Sequence, residues 1–74
     1  MKLDILMVSI RELSKSFPEW YVKDISQATI HKVHYTGITL HNQNFETLTA
    51  LLDSDGRLVN REALIEHRKE LANA

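Results

Sequence analysis

The sequence predicts an all-α fold, a small bundle of roughly four to five helices, and three observations favour it. Apolar residues recur every three or four positions over residues 2–16, as they do on one face of a helix. Apolar residues recur at similar three- and four-residue intervals over residues 45–52 and 60–71. Between them, residues 24–37 contain a serine that can cap a helix and a glycine that can end one. With 74 residues, the chain has the size of a single domain, residues 1–74.

The composition narrows the functional classes. The chain contains no cysteine, so neither disulfides nor thiolate metal sites can stabilise so small a domain, and dimerisation is the remaining common route to more buried surface. The formal net charge of −1 does not favour strong non-specific binding of nucleic acid, which usually needs a basic domain. We expect a cytoplasmic protein, because the apolar run at residues 5–8 is too short for a signal peptide or a membrane span.

The first predicted helix spans residues 2–16, and its apolar stripe is expected to be buried. The stripe consists of Leu3, Leu6, Met7, Ile10, Leu13 and Phe17. Pro18 is expected to end this helix or to occupy the first turn of the next one. Trp20 and Tyr21 are the largest side chains that follow, and we interpret them as core anchors between helices.

The central stretch allows two interpretations. As a helix it begins at Ser26, and Ile30 and Val33 share its buried face because they are three residues apart. The opposite face then carries Gln27, Ala28, His31, Lys32 and Tyr35. The alternative is an α+β fold with a central β-hairpin over residues 29–41, since this stretch is rich in Thr, Ile, Val and Tyr and residues 35–38 could form its turn.

The second half of the chain is predicted to contain two helices joined by a turn. Asn44 would cap the first, whose buried stripe is Phe45, Leu48, Leu51 and Leu52. Residues 53–56, Asp-Ser-Asp-Gly, are typical of a turn, because aspartate side chains bond nearby N–H groups and glycine adopts positive φ. Asn60 would cap a last helix that runs to about Leu71.

The central stretch resembles the recognition helix of Cro- and phage-repressor-type helix-turn-helix proteins. The similarity lies in Ile25-Ser26-Gln27-Ala28-Thr29-Ile30-His31-Lys32-Val33, with Gly37 and Thr47-Leu48-Thr49-Ala50-Leu51 further on. The resemblance implies a helix-turn-helix domain that binds double-stranded DNA as a homodimer on a palindromic operator. The residues that would contact bases or phosphates, or lie beside them, are Ser26, Gln27, Ala28, His31, Lys32 and Tyr35.

Two weaker similarities lie in the second half. Residues 45–52 and 56–64 look like the first two helices of response-regulator winged-helix domains, but no recognition helix or wing fits before residue 74. Residues 51–62 are spaced like an EF-hand loop, yet Leu51 stands at the first ligand position and cannot coordinate calcium. We expect no metal, no cofactor and no enzymatic activity, because the two histidines at positions 31 and 34 lack further ligands at suitable spacing and no catalytic arrangement is evident.

Two functional hypotheses follow from the sequence. The first is a small DNA-binding transcriptional regulator of the phage-repressor type. The second is a small modulator, of phage or plasmid type, that binds a repressor or a host protein and not DNA. The slightly acidic charge favours the second, as do Trp20 and Asp24, which occupy positions where the helix-turn-helix family has a small residue and a glycine.

Overall fold

The computed structural model describes residues 2–73 and has an α+β fold. In chain order its elements are helix α1 (Leu3–Ser16), strands β1 (Tyr21–Ile30), β2 (Val33–His41) and β3 (Thr47–Leu52), and helix α2 (Arg61–Ala72). The strands form an antiparallel sheet in the order β1-β2-β3, and both helices contribute to a core on one of its faces. The prediction of an all-α helix-turn-helix bundle is therefore wrong, and the α+β alternative with a central hairpin describes the chain.

Helix α1 confirms the first predicted helix, but only part of its apolar stripe is buried. Leu13 and Phe17 belong to the core, and Leu6 packs against it. In contrast, Leu3 is 71% exposed and Met7 is 54% exposed. Leu6 and Leu13 are two helical turns apart and point the same way, whereas Met7 is rotated from Leu6 by about 100°. The apolar stripe is thus wider than the part of α1 that packs on the core, and Leu3 and Met7 lie outside the contact.

Strands β1 and β2 form a hairpin where the sequence resemblance predicted a recognition helix. Their register places Val22 opposite Leu40 and Ile25 opposite Ile38, so apolar side chains meet on the face that carries the helices. β-branched residues are frequent in both strands and favour the pleated conformation. The turn of the hairpin lies at His31 and Lys32 and not at residues 35–38 as the alternative interpretation had it.

Strand β3 replaces the helix that was predicted over residues 45–52. Leu48, Ala50 and Leu52 are buried and alternate with more exposed neighbours, which is the period of a strand. Phe45, expected in a buried stripe, is 80% exposed in the loop before the strand. Asn44 caps no helix, since it lies in this loop and its N–H donates to Asn42 Oδ1 at 2.9 Å. The helix pair implied by the winged-helix resemblance is therefore absent from residues 2–73.

The turn at residues 53–56 and the last helix are confirmed. Asp53 Oδ1 accepts from the N–H groups of Asp55 and Arg57, both at 2.9 Å, and Gly56 has a φ of 79°. Helix α2 spans Arg61–Ala72, close to the predicted range. Asn60 precedes it, but its side chain bonds to β3 instead of capping the helix.

The core lies between the two helices and one face of the sheet. Its buried apolar residues are Leu13, Phe17, Ile38, Leu40, Leu48, Ala50, Leu52 and Leu64. Trp20 packs against this core, whereas Tyr21 is half exposed and its ring meets His41 edge-on. Arg68 joins the helices, because its guanidinium lies 4.8 Å from the centre of the Phe17 ring and donates to the Ser16 carbonyl oxygen at 3.2 Å.

Candidate functional site

The far end of the first hairpin extends beyond the core. We call residues 25–35 the distal hairpin; all of them are exposed except Ala28 and Tyr35, which are partly buried. Burial begins directly afterwards, at Thr36. The distal hairpin is therefore a two-stranded ribbon that makes little contact with the helices, and it is the part of the sheet most accessible to another molecule.

The turn at the tip of the distal hairpin has an unusual backbone. His31 and Lys32 have φ angles of 50° and 65°, in the left-handed region, as both central residues of a mirror-image hairpin turn do. Asparagine and glycine normally occupy such positions, because side chains with a bulky Cβ substituent cost about 1 kcal/mol or more there. Strain of this kind on an exposed, partly cationic tip favours a role in binding over a role in stability.

The two faces of the distal hairpin carry different side chains. The face continuous with the core presents Ile25, Gln27 and Thr29, and Thr29 Oγ1 lies 3.1 Å from His34 Nδ1. The opposite, open face presents Ser26, Ala28, Ile30, Val33 and Tyr35. Ile25 is 42% exposed although it pairs with the fully buried Ile38, so apolar surface continues from the core out along β1.

All six residues predicted to contact DNA lie in the distal hairpin. The structure therefore brings them into one element, but it does not place them on one helical face. Ser26, Ala28 and Tyr35 occupy the open face, Gln27 the opposite face, and His31 and Lys32 the turn. The helical presentation of the amide and cationic groups is a wrong prediction, because residues 26–30 belong to a strand.

The outer edge of β1 has no strand beside it within residues 2–73. In a two-residue hairpin the residues that flank the loop exchange hydrogen bonds, so Ile30, Ala28 and Ser26 direct their backbone groups to β2. Ile25, Gln27 and Thr29 then direct theirs outward. The Ile25 N–H agrees with this alternation, since it bonds the Asp24 carboxylate at 2.9 Å and not a carbonyl of β2.

This edge also lacks the usual features that prevent strands from associating. Natural edge strands carry lysine, proline, inward-pointing charges or bulges. The bulge in β1 lies between Val22 and Asp24, at Lys23, and therefore protects only the start of the strand. Residues 25–30 contain neither a charged residue nor a proline. The outer edge of the distal hairpin is thus regular and open to pairing.

The charges around the distal hairpin are uneven. No acidic residue occurs between Asp24 and Glu46, while Lys32 and three histidines fall in that interval. Asp24 therefore stands at one end of the open edge and the cationic turn at the other. Residues 25–30 themselves carry no charge; Lys23 and Asp24 precede them, and the cationic turn follows.

Sequence reasoning missed two exposed features. Phe45 is held at the surface with a φ of 59°, in a loop where Asn42 Oδ1 accepts from the N–H of Glu46 at 3.1 Å and Asn42 Nδ2 donates to Glu46 Oε1 at 2.7 Å. The free edge of β1 was missed because edges follow from strand order and not from local sequence. Only the spacing of the two asparagines at positions 42 and 44 hinted at a loop there.

Neither metal-ligating clusters nor comparisons with known proteins point to a further functional site. Within residues 2–73 no three His, Cys, Asp or Glu side chains are grouped so that they could hold a metal ion. In the same range no helix combines the length and the apolar character needed to cross a membrane. None of the family models, characterised proteins or solved structures compared with the chain matches it.

Proposed function

We propose that this chain is a protein-interaction module that binds an extended polypeptide segment along the outer edge of β1. The observation that carries the proposal is the unpaired edge over residues 25–30, regular in backbone and free of charged residues and proline. Addition of a strand to an exposed sheet edge is a common mode of peptide recognition. The proposal keeps the second hypothesis drawn from the sequence, a binding protein that modulates another protein.

Backbone hydrogen bonds would supply the part of the affinity that does not depend on the sequence of the partner. The outward N–H and C=O groups of Ile25, Gln27 and Thr29 match the spacing of an added strand, each bond contributing about 0.5–1.5 kcal/mol net. The exposed flank of Ile25 would select the partner, because it can pack against one apolar side chain of the added strand. An extended segment with a β-branched residue opposite Ile25 fits this edge best.

The test places a photo-crosslinking amino acid at Thr29, whose backbone groups point outward. The full chain carrying it is irradiated in cell extract, and a matched chain carries the same group at Glu12, whose side chain is 64% exposed on α1. We expect products at Thr29 that are absent at Glu12 and are lost when Gln27→Pro removes a neighbouring outward N–H. Equal products at both positions, or products that survive Gln27→Pro, would contradict binding at this edge.

Double-stranded DNA is a second candidate ligand, supported by one observation. The distal hairpin is a two-stranded ribbon with no acidic residue, and the major groove of DNA, about 12 Å wide, admits such a ribbon. Gel shifts at low salt test this candidate. Lys32→Ala should weaken binding to all sequences, whereas Gln27→Ala should relax sequence preference. Absence of any shifted band at low salt would exclude DNA.

A further inference from the structure

We propose that the segment bound at the outer edge of β1 is β1 of a second copy of this chain, in an antiparallel pair centred on Gln27. This inference rests on the proposed use of that edge and names its occupant. The resulting dimer would contain one continuous sheet built from the strands of both copies.

The register follows from the two ends of the open edge. The bulge at Lys23 interrupts regular pairing on one side, and the turn at His31 ends the strand on the other. The regular edge therefore extends from Asp24 to Ile30, and Gln27 is its midpoint. A two-fold axis at Gln27 is the arrangement that lets this entire segment pair with its copy.

In this register Ile25 faces Thr29 of the second copy, and Gln27 faces its own counterpart. These are the residues whose backbone groups point outward, so the arrangement forms about six hydrogen bonds. Ala28 lies opposite Ser26 of the second copy on the open face, and neither side chain is large enough to obstruct the approach. The exposed flank of Ile25 packs on Thr29 of the second copy, which covers apolar surface that the single chain leaves open.

Charge complementarity selects the antiparallel arrangement. It places Asp24 beside Ile30 of the second copy, the residue that leads into the cationic turn of that copy. Asp24 is then drawn away from the Ile25 N–H that it bonds in the single chain, and that N–H becomes free to pair. A parallel pair in register would instead set Asp24 against Asp24 and Lys32 against Lys32, which is unfavourable. Lys23 lies in the bulge, outside the regular pairing.

Disulfide trapping tests the register directly, because the chain has no cysteine of its own. Gln27→Cys should form a disulfide-linked dimer under mild oxidation, since its counterpart lies opposite within bonding range. A mixture of Ile25→Cys and Thr29→Cys should give the mixed dimer, whereas Ile25→Cys alone should not link, because its two copies lie about 13 Å apart along the strand. Glu12→Cys is the surface control. Linkage of Ile25→Cys to itself, in preference to Gln27→Cys, would overturn the register.

Sedimentation equilibrium of the full chain tests the dimer itself. We expect a concentration-dependent monomer–dimer equilibrium, since a strand edge buries less area than a large obligate interface. Gln27→Pro should raise the dissociation constant at least about tenfold by removing two hydrogen bonds across the axis. Gln27→Lys keeps the N–H and sets like charges opposite each other, so it should act in the same direction even if the proline variant folds poorly.

The outcomes separate this inference from the proposed function. A chain that stays monomeric at every concentration, or a dimer that both Gln27 variants leave unchanged, overturns the pairing with a second copy. In either case the photo-crosslinks of Thr29 to other proteins still report on the edge as a binding surface. A chain that dimerises and traps through Gln27→Cys supports the inference.

Discussion

The two edges of the sheet differ in what covers them. At β3 the segment that follows the turn returns alongside the strand: the Val59 N–H donates to the Leu51 carbonyl oxygen at 2.9 Å, and Leu52 bridges to Leu58. The Asn60 side chain completes the cover, accepting from the Leu51 N–H at 2.9 Å and donating to the Thr49 carbonyl oxygen at 2.8 Å. At β1 no further strand of residues 2–73 lies alongside, and the Ile25 N–H bonds only the neighbouring Asp24 carboxylate.

The two edges therefore differ in how their backbone hydrogen-bonding groups are satisfied. The chain satisfies the backbone groups of one edge with a short irregular segment and one amide side chain. Apart from the Ile25 N–H, which bonds the Asp24 carboxylate, the outward groups of the other edge are left for solvent or for a partner. An edge that is covered contributes to the stability of the fold, while an edge that is open contributes to association.

The largest effect is expected at Gly56, in the turn that leads into the covering segment. Its φ of 79° disfavours any L side chain, and an added Cβ would lie 2.5 Å from Ile5 Cγ2 and 2.8 Å from Ser9 Oγ. Gly56→Ala should lower the free energy of unfolding by about 3 kcal/mol, measured by urea denaturation.

Gly37→Ala is the matched control for this substitution. Its Cβ would lie 3.1 Å from the Ser26 hydroxyl, which can rotate away, and at ordinary contact distance, 3.8 Å, from the Ser26 carbonyl oxygen. We expect a loss of less than about 1 kcal/mol. Equal losses at the two glycines would show that neither the positive φ nor the contact with α1 makes position 56 special.

An intermediate effect is expected at Asn60. Asn60→Ala removes both bonds to β3 and leaves a strand N–H and a carbonyl without these partners, so it should cost about 2 kcal/mol. Asn44→Ala, an asparagine exposed in the loop before β3, is the control and should change stability by less than about 0.5 kcal/mol. Hydrogen exchange at the Leu51 amide measures the local effect, which should be faster in Asn60→Ala. Unchanged exchange there would mean that the amide is protected by something other than Asn60.

The smallest effect, and one of opposite sign, is expected at the tip of the open edge. Lys32→Gly removes the Cβ from a residue with a φ of 65° and should raise the free energy of unfolding by about 0.5–1 kcal/mol. The same variant should weaken binding if the cationic turn contacts a partner. Thermal and urea unfolding measure the first effect, and a loss of stability on substitution would show that the turn is not strained.

Local signals in the sequence predicted three parts of the fold. In helices α1 and α2 the apolar residues are spaced for a helix and do not also fit a strand. The turn at residues 53–56 is stabilised by its own aspartate side chain and glycine. The central stretch and residues 45–52 failed because their apolar residues fit two periods. Leu48, Leu51 and Leu52 suit a helix, while Leu48, Ala50 and Leu52 suit a strand, and pairing with β2 selects the second.

The candidate site divides in the same way. The six residues singled out from the central stretch do lie together on the distal hairpin, where most side chains are exposed. Their arrangement was wrong, because a helix presents side chains on one side whereas a strand sends successive residues to opposite faces. Ser26 and Gln27, neighbours on the predicted recognition surface, consequently point away from each other.

By itself the sequence determined two terminal helices, an aspartate-glycine turn and an acid-poor centre, because each depends on composition or on contacts between near neighbours. Only the tertiary structure decided that this centre is a hairpin and that β1 lies at an open edge. Both depend on which strands pair, and pairing is set by residues far apart in the chain.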